Sequence, residues 1–459
     1  MLSKLLMPEI ESLIAERQLS ILKEILSDWT PADIADLIID LPAQDKVIVF
    51  RVLNVDLAAD TFEHLEFETQ EELLKAMGHE EVAAILNDMS PDDRTALFEE
   101  LPGTSAKRLI QLLSADERKV AQTLLGYPEN SVGRLMTPEY IAVKQDWTIS
   151  ETLDYIRKNG ADSETLNVIY VINGKGVLID DIRIREIILS SPDKKIIDLM
   201  DENFIALNVH NDQEKAVEVF KKYDRIALPV VDNSGVLIGI VTVDDVLDIA
   251  EEEATEDIQK LAAVQALEES YPSISIPVML RKRGSWLALL FVGEMFTASA
   301  MALFENEISR AIVLTLFIPL IISSGGNSGS QAATLVIRAL SLGEISIKDW
   351  FFVFKRELIT GFALGVILAI IGFLRITVWE AASNVYGQYW FLIGITVSVS
   401  LIGVVLWGTI SGSMLPLILK KLGLDPATSS APLVATMVDV IGLIIYFTVA
   451  ILVLSGSLL

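Results

Sequence analysis

The sequence predicts a multidomain protein: an α-helical superhelical N domain, a duplicated α/β region, a long connecting helix and a five-span α-helical membrane domain. Three observations predict this. Of the formal net charge of −27, residues 281–459 carry +2 (11 Lys and Arg, 9 Asp and Glu), which leaves −29 for residues 1–280. Two different internal repeats fill the acidic part. Five apolar stretches in the neutral part reach the roughly 20 residues that cross a bilayer.

The composition excludes several classes of function. Nucleic-acid binding favours a basic surface, so we expect no nucleic-acid partner for this acidic chain. The chain has no Cys and three scattered His, which excludes disulfides and argues against a zinc site. Asp and Glu oxygens remain as ligands for a hard cation.

No hydrolase or transferase constellation is present, so we expect no enzyme. The N-terminal residues lack the apolar core of a signal peptide, which predicts that the acidic part stays in the cytoplasm.

Residues 1–131 contain the first repeat and are predicted to form the N domain. DWTPADIADLIIDLP at 28–42 matches DMSPDDRTALFEELP at 88–102, with weaker copies between and after them. Thr30 and Ser90 are typical N-caps, each followed by Pro at the first helical position. A period near 30 residues with short helices predicts a helical solenoid. Its acids Asp60, Asp92 and Asp93 are expected to be solvated, at helix N-termini.

Residues 132–250 contain a second repeat, in which each copy supplies a helix and a β-rich run. This region resembles a CBS-domain pair, and such pairs often bind adenosine nucleotides. The second copy keeps the Gly-x-x-Thr-x-x-Asp ending, so the resemblance implies that Thr242 and Asp245 hold the ribose of ATP or a related nucleotide. The first copy has Arg183 and Glu186 at the matching positions, which argues against a nucleotide there.

Residues 251–280 are predicted to be an acidic connecting helix, within a long helical pattern over 246–270. Glu253 and Glu256 are three residues apart and share a helical face, where like charges repel unless a cation lies between them. The alternative is a solvated face. RKRG at 281–284 marks the start of the membrane domain, 281–459.

The five predicted spans are 285–304, 311–340, 358–378, 389–419 and 432–454, the second of them interrupted by SSGGNSGSQ. Nine Lys and Arg flank one side and two the other, which predicts a cytoplasmic N-terminus and an outside C-terminus. Asp439 lies in the last span, where an unpaired carboxylate costs about 2.5–3.5 kcal/mol, so we expect it to face a cation path rather than lipid. The alternative is a protonated packing residue. In the second span, Asn327, Ser328 and Gln331 offer oxygens to a hydrated ion.

Taken together, this order of domains and the motifs PLIISSGGNSGSQ and PLVATMVDVIGL resemble the MgtE family of magnesium channels. The resemblance implies a homodimer in a lipid membrane, with a pore on the two-fold axis lined by the second and fifth spans and by Asp439. It also implies that cytosolic Mg²⁺, bound between the cytoplasmic domains, closes the pore. The matching ligand positions are Asp60, Asp92, Asp212, Glu214, Asp224, Asp245, Glu253, Glu256, Asp257 and Asp425.

Two other functions stay open at this point. One is a proton-coupled carrier of divalent cations, in which Asp439 or Glu294 titrates. The other is a membrane-tethered nucleotide sensor, in which the spans are only an anchor. Five spans and an intramembrane carboxylate weigh against the sensor. For Asp425, a loop ion pair with Lys420 and Lys421 is the alternative to metal binding.

Overall fold

The computed structural model describes residues 2–267, 271 and 274–458. The chain divides into two compact units, one up to Glu251 and one from Glu252 onward. The first unit holds the helical repeat and the duplicated α/β region, and the second holds the end of the connecting helix and the membrane domain. The predicted fold class is confirmed.

Ten short helices form the N domain, and they stack as a solenoid because their apolar stripes are too small to be buried alone. Helices two apart in the chain pack on each other: the first, third, fifth and seventh do so in succession, the second, fourth and sixth likewise, and the eighth packs on the tenth. The helices are α1 (Leu2–Ala15), α2 (Leu19–Leu26), α3 (Pro31–Asp40), α4 (Ala43–Val52), α5 (Val55–Glu63), α6 (Phe67–Ala76), α7 (His79–Asp88), α8 (Pro91–Glu100), α9 (Gly103–Ile110) and α10 (Ala115–Leu124).

The two matching N-caps of this repeat behave differently. Thr30 Oγ1 accepts the backbone N–H of Asp33 at 3.3 Å and so caps α3 as predicted. At the equivalent position before α8, the Ser90 side chain makes no such cap, and its single hydroxyl proton is shared between Asp93 Oδ2 at 2.7 Å and Glu63 Oε1 at 3.1 Å. The second copy therefore turns its cap toward neighbouring acids.

The duplicated region contains two three-stranded sheets, β1-β2-β3 and β4-β5-β6, each with a parallel first pair and an antiparallel second pair. Thr148 and Asp212, at matching repeat positions, both cap a helix. The elements are α11 (Val132–Leu135), β1 (Ala142–Lys144), α12 (Ile149–Asn159), β2 (Val168–Ile172), β3 (Leu178–Arg183), α13 (Ile184–Ile188), β4 (Leu207–Asn208), α14 (Gln213–Tyr223), β5 (Ala227–Val231) and β6 (Leu237–Thr242).

The connecting helix α15 (Val243–Leu261) is shorter than predicted. The predicted helical pattern ran to residue 270, whereas the chain turns at Ala263, which has a left-handed φ of 58°. The Gln259 side chain fixes this turn, because its Oε1 accepts the Leu267 N–H at 2.7 Å. The last part of the predicted helix, 268–270 and 272–273, lies outside the described residues.

Five helical segments of the described residues are long and apolar enough to cross a membrane, as predicted. They contain or coincide with α16 (Ile276–Leu303), α18 (Ile318–Ser341), α19 (Trp350–Ser383), α20 (Trp390–Lys421) and α21 (Ala431–Leu454), and the short α17 (Glu305–Arg310) follows the first. Several extend well beyond the predicted bounds. α18, α20 and α21 pack together around an apolar core, whereas α16 packs mainly on α21.

The predicted interruption in the second span is wrong, because α18 runs as one helix through SSGGNSGSQ. The glycines there are packing positions. A Cβ on Gly408 would lie 2.2 Å from the carbonyl oxygen of Gly325, and one on Gly412 would lie 2.1 Å from that of Gly329. Glycines four residues apart on both helices let α18 and α20 touch backbone to backbone, the small-xxx-small mode of membrane helices.

Replacing Gly412 with Ala should destabilise the membrane domain. The new Cβ must push against backbone rather than a flexible side chain, which costs about 1–3 kcal/mol for overpacking. We expect a lower unfolding temperature of the purified protein in detergent. Gly284→Ala is the matched control, because a Cβ there meets nothing within 4 Å. Equal unfolding temperatures for the two variants would show that this contact does not hold the helices together.

Candidate functional site

Asp92 and Asp245, which the sequence places in different domains, lie together in the first unit. Asp92 is in the first turn of α8 and Asp245 in the first turn of α15. Asp92 was expected to be solvated, but its side chain is only 6% exposed. Both carboxyls are buried from solvent, and the charge of Asp245 acts on Asp92.

Burial raises the pKa of both carboxyls, and among the described residues no positive charge is found to lower it. Burial raises the pKa of Asp92 well above its usual value, and the neighbouring Asp245 and Asp93 raise it further. Burial likewise raises the pKa of Asp245 to about 7, although the Thr242 hydroxyl, which donates to its Oδ2 at 2.6 Å, opposes the rise. Protons or a cation would relieve such crowded, desolvated carboxylates.

Three further acids complete this group, which we name the acidic junction: Asp92, Asp93, Glu164, Asp244 and Asp245. Burial raises the pKa of Glu164, and the charges of Asp244 and Asp93 add to it. The sequence reasoning missed Glu164 and Asp244 as candidates. Asp244 could have been predicted because it is adjacent to Asp245 in the sequence. Glu164 lies between α12 and β2, where no sequence pattern indicates a site.

Asp60 is linked to the junction through Glu63. Asp60 itself is exposed, and partial burial together with the charge of Asp56 raises its pKa. One turn on, burial raises the pKa of Glu63 to about 7, with the charges of Asp93 and Asp60 adding to the rise. The Ser90 backbone N–H donates to Glu63 Oε1 at 2.7 Å. Asp60 and Asp92 thus belong to one continuous acidic region of the N domain.

Asp212, Glu214 and Asp224 are exposed and lie at opposite ends of α14. Asp212 Oδ1 accepts the Glu214 N–H at 3.0 Å and caps the helix start. Asp224 ends the helix with a left-handed φ of 49°. Eleven helical residues span about 16 Å, so one ion cannot contact both ends. In the part of the chain that the structure describes, no three His, Asp or Glu side chains are arranged around one metal position.

The predicted ribose-binding pair, Thr242 and Asp245, is hydrogen-bonded to itself and lies in the acidic junction. The side chains around Asp245 are therefore other carboxylates, which suit a cation better than a nucleotide phosphate. A nucleotide at this position remains a prediction.

On the connecting helix, the acids pair with partners that the sequence reasoning did not consider. Lys260 Nζ lies 2.7 Å from Glu256 Oε1 and 2.7 Å from Asp425 Oδ2. Asp425 therefore pairs with Lys260, not with Lys420 or Lys421 as the alternative expected. Asp257 Oδ2 accepts the Ser341 hydroxyl at 3.4 Å. Glu253 is half-buried one turn before Asp257.

Asp439 lines a cavity of about 710 Å³ between α16 and α21. Glu294 lines the same cavity, and its Oε2 accepts the Thr297 hydroxyl at 3.2 Å. Thr436 packs against Gly293, which leaves no room for a Cβ at that glycine and fixes the register of the two helices. Among the described residues that line the cavity, the others are apolar except Thr436, and these two carboxyls carry the charge.

The polar side chains of α18 separate onto two faces. Ser328 is buried and hydrogen-bonds Thr409 at 2.7 Å, so its predicted role as an ion ligand is wrong. Asn327 and Gln331 are exposed on the opposite face, with Ser323 one turn earlier. A polar stripe at membrane depth is not stable against lipid, so it needs water or protein beside it.

Comparisons with known proteins cover nearly the whole chain. Residues 29–130 match the family model described as the MgtE intracellular N domain, 132–192 and 196–252 match the CBS domain, and 318–449 match MgtE, a divalent cation transporter. The chain is 35% identical over 451 residues to the magnesium transporter MgtE of Thermus thermophilus. This match covers 97% of this chain and 98% of that protein. It is 31% identical over 428 residues to the Bacillus subtilis magnesium transporter MgtE, 93% of both chains.

Solved structures match the acidic part. The cytosolic domain of the Mg²⁺ channel MgtE in complex with ATP is 33% identical, with a TM-score of 0.50, and the match covers 52% of this chain and 98% of that one. The soluble part of a magnesium transporter is 25% identical, with a TM-score of 0.52, covering 55% and 99%. With its membrane domain, α/β pair and helical domain all matched, the chain belongs to the MgtE family of magnesium transporters and is a multi-pass membrane protein.

Proposed function

We propose that the protein is a homodimeric channel that imports Mg²⁺ and that cytosolic Mg²⁺ closes. The acidic junction is the observation that supports closure by cytosolic Mg²⁺. It brings the N domain and the CBS pair together through buried carboxylates whose mutual repulsion a divalent cation would remove. A ligand that binds only the closed arrangement stabilises it by about 1.4 kcal/mol per site at ten times Kd.

In this proposal the Mg²⁺ ions bind through water at several places. Mg²⁺ keeps much of its hydration shell, so a site with one or two carboxylates is sufficient. The proposed regulatory ligands are Asp60, Asp92, Asp212, Glu214, Asp224, Asp245, Glu253, Glu256, Asp257 and Asp425. The acidic junction is intact within one chain, whereas the exposed acids of α14 need groups from elsewhere, such as a second copy.

The proposed path for Mg²⁺ through the membrane is supported by Asp439 and by the exposed polar stripe of α18. In a homodimer, two copies of Ser323, Asn327 and Gln331 facing each other would line a wet path, and two Asp439 side chains would give it negative charge. Hydrated Mg²⁺ suits such a path. The excess of basic residues on one side supports a cytoplasmic N-terminus, and in this proposal the acidic domains sense the transported ion there.

Recording of single-channel currents in planar bilayers tests the proposal directly. We expect Mg²⁺ current at micromolar cytosolic Mg²⁺ and closure when the same side is raised to the millimolar range. Current that persists unchanged at high Mg²⁺ would contradict the gating. Lack of current, with Mg²⁺ uptake retained in vesicles, would contradict a channel.

The presence of Glu294 and Asp439 in one cavity favours a second candidate, a proton-coupled carrier. Two adjacent carboxyls can hold one proton in common and release it when a divalent cation arrives. Vesicles loaded with a pH-sensitive dye separate the two functions. A carrier acidifies or alkalises the lumen in proportion to Mg²⁺ uptake, whereas the channel moves Mg²⁺ without such stoichiometric proton flux.

ATP is a further proposed ligand of the CBS pair, supported by the likeness to the ATP complex of an MgtE cytosolic domain. Titration calorimetry of the purified protein with ATP measures this. Binding that is unchanged in Thr242→Ala would move the nucleotide away from the predicted ribose position.

A further inference from the structure

Lys260 joins the connecting helix to the loop between α20 and α21. Its ammonium group is 2.7 Å from a carboxylate oxygen of Glu256, one turn earlier on its own helix, and 2.7 Å from Asp425 in that loop. The three side chains are half-buried, with 26–38% of each exposed. Burial lowers the pKa of Lys260, but hydrogen bonds to Asp425 and Glu256 outweigh it and raise the pKa above its usual value.

Two neighbouring contacts dock the same end of the helix. Leu261 packs against the apolar core that α18, α20 and α21 share. On the preceding turn, Asp257 Oδ2 accepts the hydroxyl of Ser341, the last residue of α18. The end of α15 therefore contacts both the end of α18 and the loop that leads into α21.

Asp425 transmits this contact because it is part of a rigid turn. Its Oδ1 accepts the Ala427 N–H at 2.8 Å, and its backbone oxygen accepts the Thr428 hydroxyl at 2.7 Å. Ser429 and Ser430 follow, fully buried, and Ser430 is the N-cap of α21. A displacement of Asp425 is therefore expected to move the start of α21, the helix that carries Asp439.

Lys260 thus lies between Glu256 and Asp425, two acids that the resemblance to the MgtE family implies as Mg²⁺ ligands. Burial raises the pKa of Asp257, with the Asp425 charge adding to the rise and Lys260 opposing it. A tethered ammonium is present at a fixed, high effective concentration, whatever the concentration of free Mg²⁺. We propose that Lys260 latches the connecting helix to the α20–α21 loop without Mg²⁺ and thereby lowers the cytosolic Mg²⁺ concentration needed for closure. The second half of this inference rests on the proposed function.

Lys260→Gln removes the latch charge and keeps a long polar side chain. Lys421→Gln is the matched control, because it removes the same charge from an exposed position just before the loop. Lys260→Arg should restore the bridge. The first readout uses the full chain in detergent with a chelator and a protease that cuts after Glu, which reports release of the helix around Glu256 whether or not the protein conducts.

Of the two ion pairs of Lys260, only the one with Asp425 joins the helix to the loop, and its loss changes that equilibrium by about three- to tenfold. We therefore expect Lys260→Gln to be cut about three- to tenfold faster than wild type in the absence of metal, with Lys421→Gln and Lys260→Arg near wild type. In bilayer recordings, Lys260→Gln should raise the half-closing Mg²⁺ concentration by a similar factor.

Equal cleavage of Lys260→Gln and Lys421→Gln would overturn the latch. Faster cleavage with an unchanged half-closing Mg²⁺ concentration would overturn its role in closure. If no variant, wild type included, responds to cytosolic Mg²⁺, the proposed gating fails, while the cleavage rates still decide the latch.

Discussion

Asp439→Ala is expected to abolish most Mg²⁺ flux while leaving the protein folded. The proposed path loses its carboxylate, and α21 keeps its packing because Asp439 faces the cavity rather than the core. A carboxylate about 5 Å from a hydrated divalent cation contributes on the order of 7 kcal/mol at an effective dielectric constant of about 20, and each 1.4 kcal/mol changes an affinity about tenfold. Mg²⁺ uptake into proteoliposomes, measured with a fluorescent indicator, gives the rate.

Asp439→Asn should lose flux less completely, because the amide still offers one oxygen to the hydrated ion. The control is Glu357→Gln, which neutralises a half-exposed carboxylate in α19 that does not line the cavity. Wild-type uptake by Asp439→Ala, or an equal loss in Glu357→Gln, would remove Asp439 from the path. Glu294→Gln separates the two transport proposals, since only a carrier needs this residue to move protons.

The second large effect is expected for Asp245→Asn, which should leave current flowing at millimolar cytosolic Mg²⁺. The change removes one buried carboxylate of the acidic junction but keeps its shape and its hydrogen bond with Thr242. With less repulsion to relieve, Mg²⁺ gains less by binding there. Asp92→Asn should act in the same direction, and the double variant should add little because both acids belong to one site. Bilayer currents against cytosolic Mg²⁺ measure the shift.

The matched control for this pair is Asp116→Asn, a first-turn acid of α10 that is exposed. Normal closure in Asp245→Asn together with loss of closure in Asp116→Asn would place the sensor outside the junction.

The junction also predicts a pH dependence of stability. Its carboxyls bind protons more tightly in the folded chain than in the unfolded one, since the pKa of Asp245 is raised from 3.8 to about 7. Without Mg²⁺, the free energy of unfolding should therefore fall as the pH rises through this interval. Mg²⁺ competes with those protons, so it should raise the unfolding temperature more at pH 8 than at pH 6. In Asp245→Asn both dependences should weaken, and an unchanged Mg²⁺ effect would contradict the site.

Much of the architecture could be predicted because it rests on local patterns. The repeats predicted two kinds of domain, and apolar length predicted the five spans, since helix formation in a bilayer depends mainly on apolar length. Thr148 and Asp212 occupy matching positions of the second repeat, 64 residues apart, and each caps a helix. Where local patterns conflicted, the prediction was wrong. SSGGNSGSQ has the composition of a break, but backbone contact with Gly408 and Gly412 holds it in a helix.

The candidate site depended on contacts that sequence spacing does not encode. By itself the sequence determined which residues could bind a cation: acids in a −29 segment and one carboxylate in the last span. The tertiary structure alone decided that Asp92 is buried beside Asp245, that Glu164 joins them, and that Glu294 faces Asp439. It also decided that Lys260 rather than Lys420 or Lys421 neutralises Asp425. The physical reason is that charge and composition are properties of residues, whereas desolvation and ion pairing depend on which distant segments the fold brings within a few ångströms.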